Sequence, residues 1–465
     1  MKTRSKLPPG PPGHFLVGNF PLGTRDPLKL LTQWAREYGD IFYYRAFATR
    51  VYFLNRPDLI ESVLVTNSRD FIKGRGLQVN RRLFGNGLLT SEGDFWLRQR
   101  RLCQPAFHRD GLQAFSVQMV EYTERMLEGW HDGEVRDIQE ELMRLTLQIA
   151  AKTLLGVEMG ERVQEFSRAV QPIMQFNTRG RMLMPLVRYL PTPLNIRYRL
   201  AVRRLERIVT QMIRKRQAHG VAESDLLSVL IEARDEKGRG LTERQLRDEG
   251  VTLLLAGHET TALALCWTFY LLALHPEVES RLLEEIDEIL GRRRPEFADL
   301  ARLKYAESAI RESMRLYPPA YAMARIASKD CEIAGYRVPR GASLVMSQWV
   351  MHRDPRFFER PEEFIPDRWT GEFLKRLPNF AYFPFGGGPR VCLGASFAMM
   401  ESILLLATIL QRFRLGLCSE EKVNPVAAIT LRPAHGIPMK LQRRELAAQR
   451  SQAVQVTPKP LGVYA

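Results

Sequence analysis

Phe385-Gly386-Gly387-Gly388-Pro389-Arg390-Val391-Cys392-Leu393-Gly394 surrounds one cysteine with four glycines and one arginine, just before an apolar helical pattern. Glycines let backbone N–H groups approach a sulfur closely, and a helix start turns its positive dipole end toward it. Both effects, together with a nearby cation, lower the pKa of a thiol. A buried cysteine after a glycine-rich turn is the alternative. The fixed offsets instead predict a loop that presents Cys392 to haem iron as a thiolate, with Arg390 placed for a haem propionate.

The composition is that of a globular chain, since 45% of the 465 residues are hydrophobic and 26% are charged. No Ser/Gly-rich linker divides it, so we expect one domain over 1–444, with a Pro/Gly-rich hinge at 7–13 and a mobile tail at 445–465. The start of the chain lacks an apolar run of membrane-spanning length, which predicts no transmembrane anchor and a cytoplasmic location. A truncated anchor before the hinge stays open. Five scattered cysteines without a C-x-x-C pair fit a reducing compartment and no zinc site.

Helical periodicity dominates the chain, and alternating runs are few. The sequence therefore predicts a mainly α fold with a small β region. The predicted helices include 113–130, 135–155, 201–219, 242–274, 277–290 and 397–413, and the predicted strands are Ile41–Leu54, Ala324–Val338, Ala342–Trp349 and Val426–Leu441.

The segment 242–274 predicts one long helix, because a Thr242-x-x-Gln245 capping box opens it and Pro276 follows its end. Its centre contains Gly257-His258-Glu259-Thr260-Thr261. Polar groups at that position would be costly in a membrane span, so a buried helix with a functional break is favoured. Threonines bonded back to their own helix carbonyls are the structural alternative.

Two further charge patterns follow helical spacing. Glu312 and Arg315 stand at i and i+3, and Trp96 and Arg100 stand at i and i+4. Each pair therefore shares a helix face. Such pairs are common, so each pattern alone is weak evidence for a site.

Together these motifs resemble the cytochrome P450 family of haem-thiolate monooxygenases, whose loop signature is Phe-Gly-x-Gly-x-Arg-x-Cys-x-Gly. Every fixed position of that signature is present, and the motifs follow the family's order over roughly residues 8 to 442. The resemblance implies the P450 fold, with haem b between the long central helix and the helix after the ligand loop. It implies that Cys392 is the axial ligand, with Phe385 and Gly394 beside the haem.

The resemblance also assigns roles to the other motifs. Glu259 would deliver protons, Thr260 would hold dioxygen and a water, and Gly257 would let the helix approach the haem. Trp96, Arg100, Arg325 and Arg390 would bind the two propionates. A buried network of Glu312, Arg315 and Arg368 would lock the scaffold, and Asp367 replaces the glutamate often found beside that arginine.

A substrate pocket can be outlined from family positions. Its predicted walls are apolar and modest in size, which implies an apolar substrate, although each residue could equally be ordinary core. Arg50 lies near where some fatty-acid-hydroxylating relatives anchor a carboxylate. The predicted wall residues are Leu88, Leu89, Phe176, Ala256, Ala320, Ala322 and Ile429.

The net charge of +16 could attract an acidic partner protein. The resemblance implies electrons from a separate acidic ferredoxin, flavodoxin or flavoprotein reductase, with Arg98 and Arg101 as candidate contacts. No G-x-G-x-x-G opens a helix after a strand, so NAD(P)H would act only indirectly. No nucleic-acid module is present, and we expect a monomer.

The sequence thus predicts a monooxygenase that uses dioxygen and two electrons to hydroxylate or epoxidise a lipophilic substrate, first of all a fatty acid. A terpenoid or steroid substrate is the nearest alternative. A peroxide-driven peroxygenase or isomerase is less favoured, because such relatives usually lack the Glu259–Thr260 pair. A non-catalytic haem-binding or lipid-binding protein is the least favoured.

Overall fold

The structure, a computed structural model, describes residues 7–15, 17–19, 26–107, 109–160, 162–178, 190–218 and 225–445. Apart from Glu445, the predicted mobile tail lies outside these residues. The helices are α1 Pro27–Tyr38, α2 Pro57–Glu61, α3 Arg75–Val79, α4 Arg81–Phe84, α5 Gly93–Cys103, α6 Arg109–Glu128, α7 Ile138–Leu155, α8 Arg162–Thr178, α9 Pro193–Ala218, α10 Leu226–Glu232, α11 Glu243–Leu274, α12 Pro276–Leu290, α13 Lys304–Leu316, α14 Gln348–Met351, α15 Gly371–Arg376 and α16 Ala395–Arg412.

The strands form small sheets at the edge of the helical body. The largest has the order β1-β2-β8-β5-β3, in which β2 and β8 are parallel and the other neighbours are antiparallel. A second sheet has the order β4-β12-β9, while β6–β7 and β10–β11 are antiparallel pairs. The strands are β1 Ile41–Ala46, β2 Thr49–Leu54, β3 Phe71–Lys73, β4 Val135–Asp137, β5 Met323–Ala327, β6 Cys331–Ile333, β7 Tyr336–Val338, β8 Ser343–Met346, β9 Phe413–Leu417, β10 Pro425–Ala427, β11 Leu431–Pro433 and β12 Pro438–Arg443.

Helix α11 is the axis of the fold, and its start follows from local chemistry. The Gln245 N–H donates to Thr242 Oγ1 at 3.3 Å, and the Thr242 N–H donates to Gln245 Oε1 at 2.8 Å, which completes the predicted capping box. Most of its 32 residues are buried. It packs along α7 and also contacts α9, α13 and α16, so the centre of α11 lies deep in the protein.

Among the described helices, α16 is long and apolar enough to cross a membrane, and α11 with α12 passes the same test as a pair bent by 113°. In this structure 67% of α16 is buried within the protein, against α6, α11, α12 and α13. The apolarity of α16 is therefore used in the core of this fold.

The mainly α architecture is confirmed, and the differences lie at element boundaries. The predicted helix 135–155 begins at Ile138, because 135–137 pairs with β12 as a strand and Asp137 caps the helix by accepting the Gln139 N–H at 2.9 Å. Helix α9 begins at Pro193, eight residues before the predicted start. The predicted strand 342–349 ends at Met346, after which Ser347 caps the short helix α14.

Candidate active site

The loop before α16 needs its glycines for backbone reasons that the structure makes explicit. Gly386 and Gly388 have φ angles of +72° and +66°, in the left-handed region that favours glycine. A Cβ atom on Gly388 would lie 1.9 Å from the backbone oxygen of Leu64. A larger residue at Gly388 would therefore force the loop away from its neighbour.

Cys392 follows this turn, and its N–H donates to the Phe385 carbonyl at 3.0 Å. The cysteine keeps accessible surface, yet enough protein encloses it that burial raises the pKa of its thiol. The Gly394 N–H and the Arg100 charge oppose that rise. Our expectation of a lowered pKa is therefore wrong for the thiol alone, because burial outweighs the loop. Gly394 is the N-cap of α16, so the helix begins at Ala395, two residues before the predicted start at 397.

Four cations gather beside this loop: Lys73, Arg100, Arg325 and Arg390. Lys73 is 5% exposed and Arg325 is 7% exposed. Burial, followed by the charge of Arg390, lowers the pKa of Lys73 to about 7 and that of Arg325 to about 10. Arg390 therefore lies close enough to Lys73 and Arg325 to disfavour the charged forms of both.

Trp96 joins the cations to helix α5. The guanidinium carbon of Arg390 lies 4.4 Å from the centroid of the Trp96 ring, and that of Arg100 lies 6.0 Å from it. Arg100 Nη1 also donates to the Val391 carbonyl at 2.9 Å, which ties α5 to the ligand loop. The predicted propionate residues thus lie near one another although they come from three segments. Trp96 and Arg100 belong to α5, Arg325 to β5, and Arg390 to the ligand loop.

The donor set fits a haem. A thiol stands on one loop, and a partly buried excess of positive charge lies beside it, which is costly unless anions neutralise it. The carboxylate of Glu92 forms an ion pair with Arg390, and the single charge of Glu92 leaves the other cations for two propionates. Within the described part of the chain, no cluster of three His, Cys, Asp or Glu residues offers a metal site of another kind.

The α11 centre presents part of one face to accessible space. Ala256 is exposed and Thr260 is partly exposed, in a stretch that is otherwise mainly buried. The Thr260 hydroxyl donates to the Ala256 carbonyl at 2.9 Å, the bond that our structural alternative predicted. Its oxygen can still accept a hydrogen bond.

Gly257 serves a different neighbour from the one we expected. A Cβ atom there would lie 3.3 Å from Leu154 Cδ1 and 3.9 Å from the Ala150 Cβ, both on α7. The glycine therefore allows close packing of α11 on α7. The expectation that Gly257 also lets the helix approach the haem stays a prediction.

Glu259 lies on the same turn of α11 but is held by the β10–β11 hairpin. Thr430 Oγ1 donates to Glu259 Oε1 at 2.6 Å, and the Arg432 guanidinium forms an ion pair with the same oxygen. Glu259 is buried. Glu259 and Thr260 are therefore adjacent in sequence but differ in their partners. Glu259 is bonded to residues of the hairpin, whereas Thr260 is bonded to its own helix.

The predicted scaffold network is present. Glu312 accepts hydrogen bonds from Arg315, from Arg368 Nε at 2.9 Å and from Trp369 Nε1 at 2.9 Å. Arg315 also donates to the His352 carbonyl at 2.9 Å. Asp367 pairs with Arg281 at the surface, so its departure from the family pattern leaves the network intact.

The predicted wall residues fall into two groups. Six are partly or fully accessible: Leu88, Leu89, Ala256, Ala320, Ala322 and Ile429. Phe176 is buried in α8 and stacks on Tyr198 of α9, with 4.4 Å between ring centroids. Phe176 thus contributes to the contact between these two helices. Arg50, the residue considered as a carboxylate anchor, is exposed on β2 opposite Arg45.

Arg98, a candidate partner contact, is occupied within the protein, because its Nε donates to Asp235 Oδ2 at 2.8 Å. Arg101 stays exposed and pairs loosely with Glu236 at 3.5 Å. Arg101 is therefore the better placed of the two for a partner.

Sequence reasoning missed Lys73, Glu92, Glu249 and Arg432. Lys73 Nζ donates to the Leu88 carbonyl at 2.6 Å, and the Leu88 N–H donates to Glu249 at 2.9 Å. Burial raises the pKa of Glu249 to about 7. Single charged residues without a spaced partner carry no motif, so only the tertiary structure shows these roles.

Comparison with known families supplies the identity. The family described as cytochrome P450 matches residues 8–438. The chain belongs to the cytochrome P450 family. Cyclooctat-9-en-7-ol 5-monooxygenase of Streptomyces melanosporofaciens is 38% identical over 403 residues, which cover 86% of this P450 and 87% of that protein. Pentalenene oxygenase of Streptomyces avermitilis is 35% identical over 431 residues, which cover 92% and 96% of the two chains.

Among solved structures, the heme domain of cytochrome P450DA matches this P450 with a TM-score of 0.85 at 27% identity, over 95% of this chain and 98% of that one. Membership confirms the predicted fold, a haem with a thiolate ligand, and oxidoreductase chemistry that incorporates oxygen with electrons from a redox partner.

Proposed function

We propose that this P450 oxidises an apolar terpenoid. The observation that carries the proposal is its likeness over most of its length to two bacterial enzymes named for cyclooctat-9-en-7-ol and pentalenene. The accessible wall residues support it, because the side chains of Leu88, Leu89, Ala256, Ala322 and Ile429 carry neither charge nor hydrogen-bonding groups. A fatty acid, our first expectation from sequence, would place a carboxylate that such side chains cannot bind.

Different residues of the site would bind the iron, the propionates and the substrate. Cys392 would ligate the iron, while Trp96, Arg100, Arg325 and Arg390 would hold the propionates. Haem bound in this way would supply the activation of dioxygen and the insertion of one oxygen atom. The apolar walls would orient the substrate and exclude water from it.

Two residues of α11 would control the delivery of protons. Thr260 would position a water through its hydroxyl, and Glu259 would supply protons to that side of the helix. Electrons would come from a separate ferredoxin, flavodoxin or flavoprotein reductase with an acidic surface, since the chain has a net charge of +16. We place the protein in the cytoplasm as a monomer.

A spectral titration of the purified protein tests the substrate class. Pentalenene and palmitic acid are added separately while the spin state of the iron is followed. The proposal expects displacement of the iron-bound water by pentalenene at lower concentration than by palmitic acid. The reverse order would restore the fatty acid as substrate class.

A further inference from the structure

The segment 85–89 carries two of the proposed wall residues and lies directly against the second and third turns of α11. A Cβ atom on Gly85 would lie 2.1 Å from Asp248 Cγ, and one on Gly87 would lie 2.4 Å from Thr252 Oγ1. Gly85 also has a φ angle of +57°, in the region that favours glycine. The two glycines therefore allow the backbone of this wall segment to touch the central helix.

Two neighbouring carboxyl groups of α11 accept backbone N–H groups of the wall segment. Asp248 Oδ2 accepts the N–H of Asn86 at 2.8 Å, and Glu249 Oε2 accepts the N–H of Leu88 at 2.9 Å. Asp248 is 4% exposed and Glu249 is 1% exposed. Hydrogen bonds are stronger in such water-poor surroundings than at a surface. Side chains of α11 thus hold the wall segment in its position.

Lys73 on β3 holds Leu88 through the other backbone group of that residue. The Lys73 ammonium donates to the Leu88 carbonyl at 2.6 Å. The backbone N–H of Lys73 in turn donates to Glu92 Oε1 at 2.6 Å. Both backbone groups of Leu88 are therefore bonded to buried ionisable side chains, one from α11 and one from β3.

One face of α11 leads from these contacts to the accessible part of the helix. Thr252, Ala256 and Thr260 follow one another at intervals of four residues, which places them in one row along the helix. Thr252 lies against the wall segment, whereas Ala256 is exposed and Thr260 is partly exposed. The wall segment therefore borders the accessible face of α11.

We infer that Glu249 and Lys73 are positioning residues that determine substrate specificity, because together they fix Leu88 by its N–H and its carbonyl. A wall that is held in place before binding costs a matching ligand less ordering. Both residues act through Leu88. The inference rests on the proposed role of Leu88 and Leu89 as walls of the substrate site, and it deepens that role by naming the side chains that place them.

Three variants separate the contributions of these side chains. Glu249→Ala removes the acceptor of the Leu88 N–H, whereas Glu249→Gln keeps an accepting oxygen on a side chain of the same length. Burial raises the pKa of Glu249 to about 7, so a neutral amide is a close substitute for this carboxyl group. Lys73→Met removes the donor to the Leu88 carbonyl and keeps a long side chain.

Glu285 on α12 provides a matched control. Its carboxylate accepts the backbone N–H of Tyr305 at 2.6 Å and that of Ala306 at 2.9 Å. Glu285→Ala therefore also removes a carboxylate that holds the backbone of another segment, but outside the proposed substrate site. Any general loss of stability should appear in this variant as well.

Hydrogen exchange of the haem-loaded protein, followed by mass spectrometry, measures how firmly the wall segment is held. Amide exchange in residues 85–92 should be about tenfold faster in Glu249→Ala, the order of effect expected from losing one hydrogen bond to a charged group. Exchange in the same residues should match wild type in Glu249→Gln and in Glu285→Ala.

Imidazole and 4-phenylimidazole measure the consequence for binding, through the shift of the haem absorption band when each ligates the iron. Imidazole is small, whereas the phenyl ring of the second ligand must fit among the walls. The dissociation constant of 4-phenylimidazole should rise about tenfold in Glu249→Ala and in Lys73→Met, while that of imidazole stays unchanged. Glu249→Gln and Glu285→Ala should keep the wild-type ratio of the two constants.

The inference is overturned if Glu249→Ala and Lys73→Met give the same ratio of dissociation constants as Glu285→Ala, or if exchange in 85–92 is no faster in Glu249→Ala. Should Glu249→Ala not bind haem, the ratio in Lys73→Met decides. The imidazoles bind the iron whatever the substrate class. A fatty-acid result in the spin-state titration would therefore contradict the terpenoid proposal and leave this comparison decisive.

Discussion

Arg315 Nε lies 2.8 Å from Glu312 Oε2, and neither side chain has any exposed surface. The pair links α13 to the segment that carries Arg368 and Trp369, because both also bond to Glu312. Burying two charges is costly, and the Arg368 and Trp369 bonds are what offset that cost. The scaffold beside the ligand loop therefore depends on a fully paired buried carboxylate.

Glu312→Ala should destabilise the protein by about 3–5 kcal/mol, because it leaves Arg315 as an uncompensated buried charge. The measurement is the thermal unfolding midpoint together with haem content. Glu372→Ala, which removes an exposed pair with Lys375 at 2.8 Å, is the control and should cost no more than about 1 kcal/mol. Equal losses in the two variants would contradict a structural role for the network.

Arg325→Leu should weaken haem retention, because it removes one of the buried cations that fit the propionates. The rate of haem transfer to an acceptor apoprotein measures this, and we expect it to rise about tenfold, as for loss of one charge-assisted bond. Arg337→Leu, which removes an exposed arginine, should leave the rate unchanged. A variant Arg325→Leu that retains haem like wild type would remove Arg325 from the propionate set.

Glu401 makes stability fall as pH rises. It has no exposed surface, and burial raises its pKa from 4.5 to about 8 in the folded protein. Between those values the unfolded chain loses a proton that the folded chain keeps, so unfolding becomes easier by up to about 1.4 kcal/mol per pH unit. Glu401→Gln should therefore gain stability relative to wild type between pH 5 and pH 8. Denaturant unfolding at both pH values checks this, with the exposed Glu284→Gln as control. A pH-independent difference would show that Glu401 is ionised.

Ala256→Leu should obstruct the accessible face of α11 without disturbing the haem loop. We expect the concentration of pentalenene needed for the spin-state change to rise about tenfold or more, since the isobutyl group would fill space beside α11 that a bound substrate would occupy. Haem content should match that of Ala301→Leu, a substitution at an exposed position. Unchanged titration would place the substrate away from Ala256.

Local patterns predicted the parts of the site that depend on neighbouring residues. The glycines around Cys392 and the capping box at Thr242 act over a few positions, so their sequence determines their geometry. The Glu259–Arg432 pair joins residues 173 positions apart, and no spacing rule reaches that far. Likewise 135–137 is a strand only because β12 pairs with it, and the helical periodicity of the following residues conceals this short strand.

The measurement closest to the central claim is turnover under oxygen-18 dioxygen, with NADPH, a ferredoxin and its reductase, and equal concentrations of pentalenene and palmitic acid. This account predicts a pentalenene product that carries one oxygen-18 atom and is lost in Cys392→Ser. Preferential oxidation of palmitic acid, or a product without oxygen-18, would contradict it.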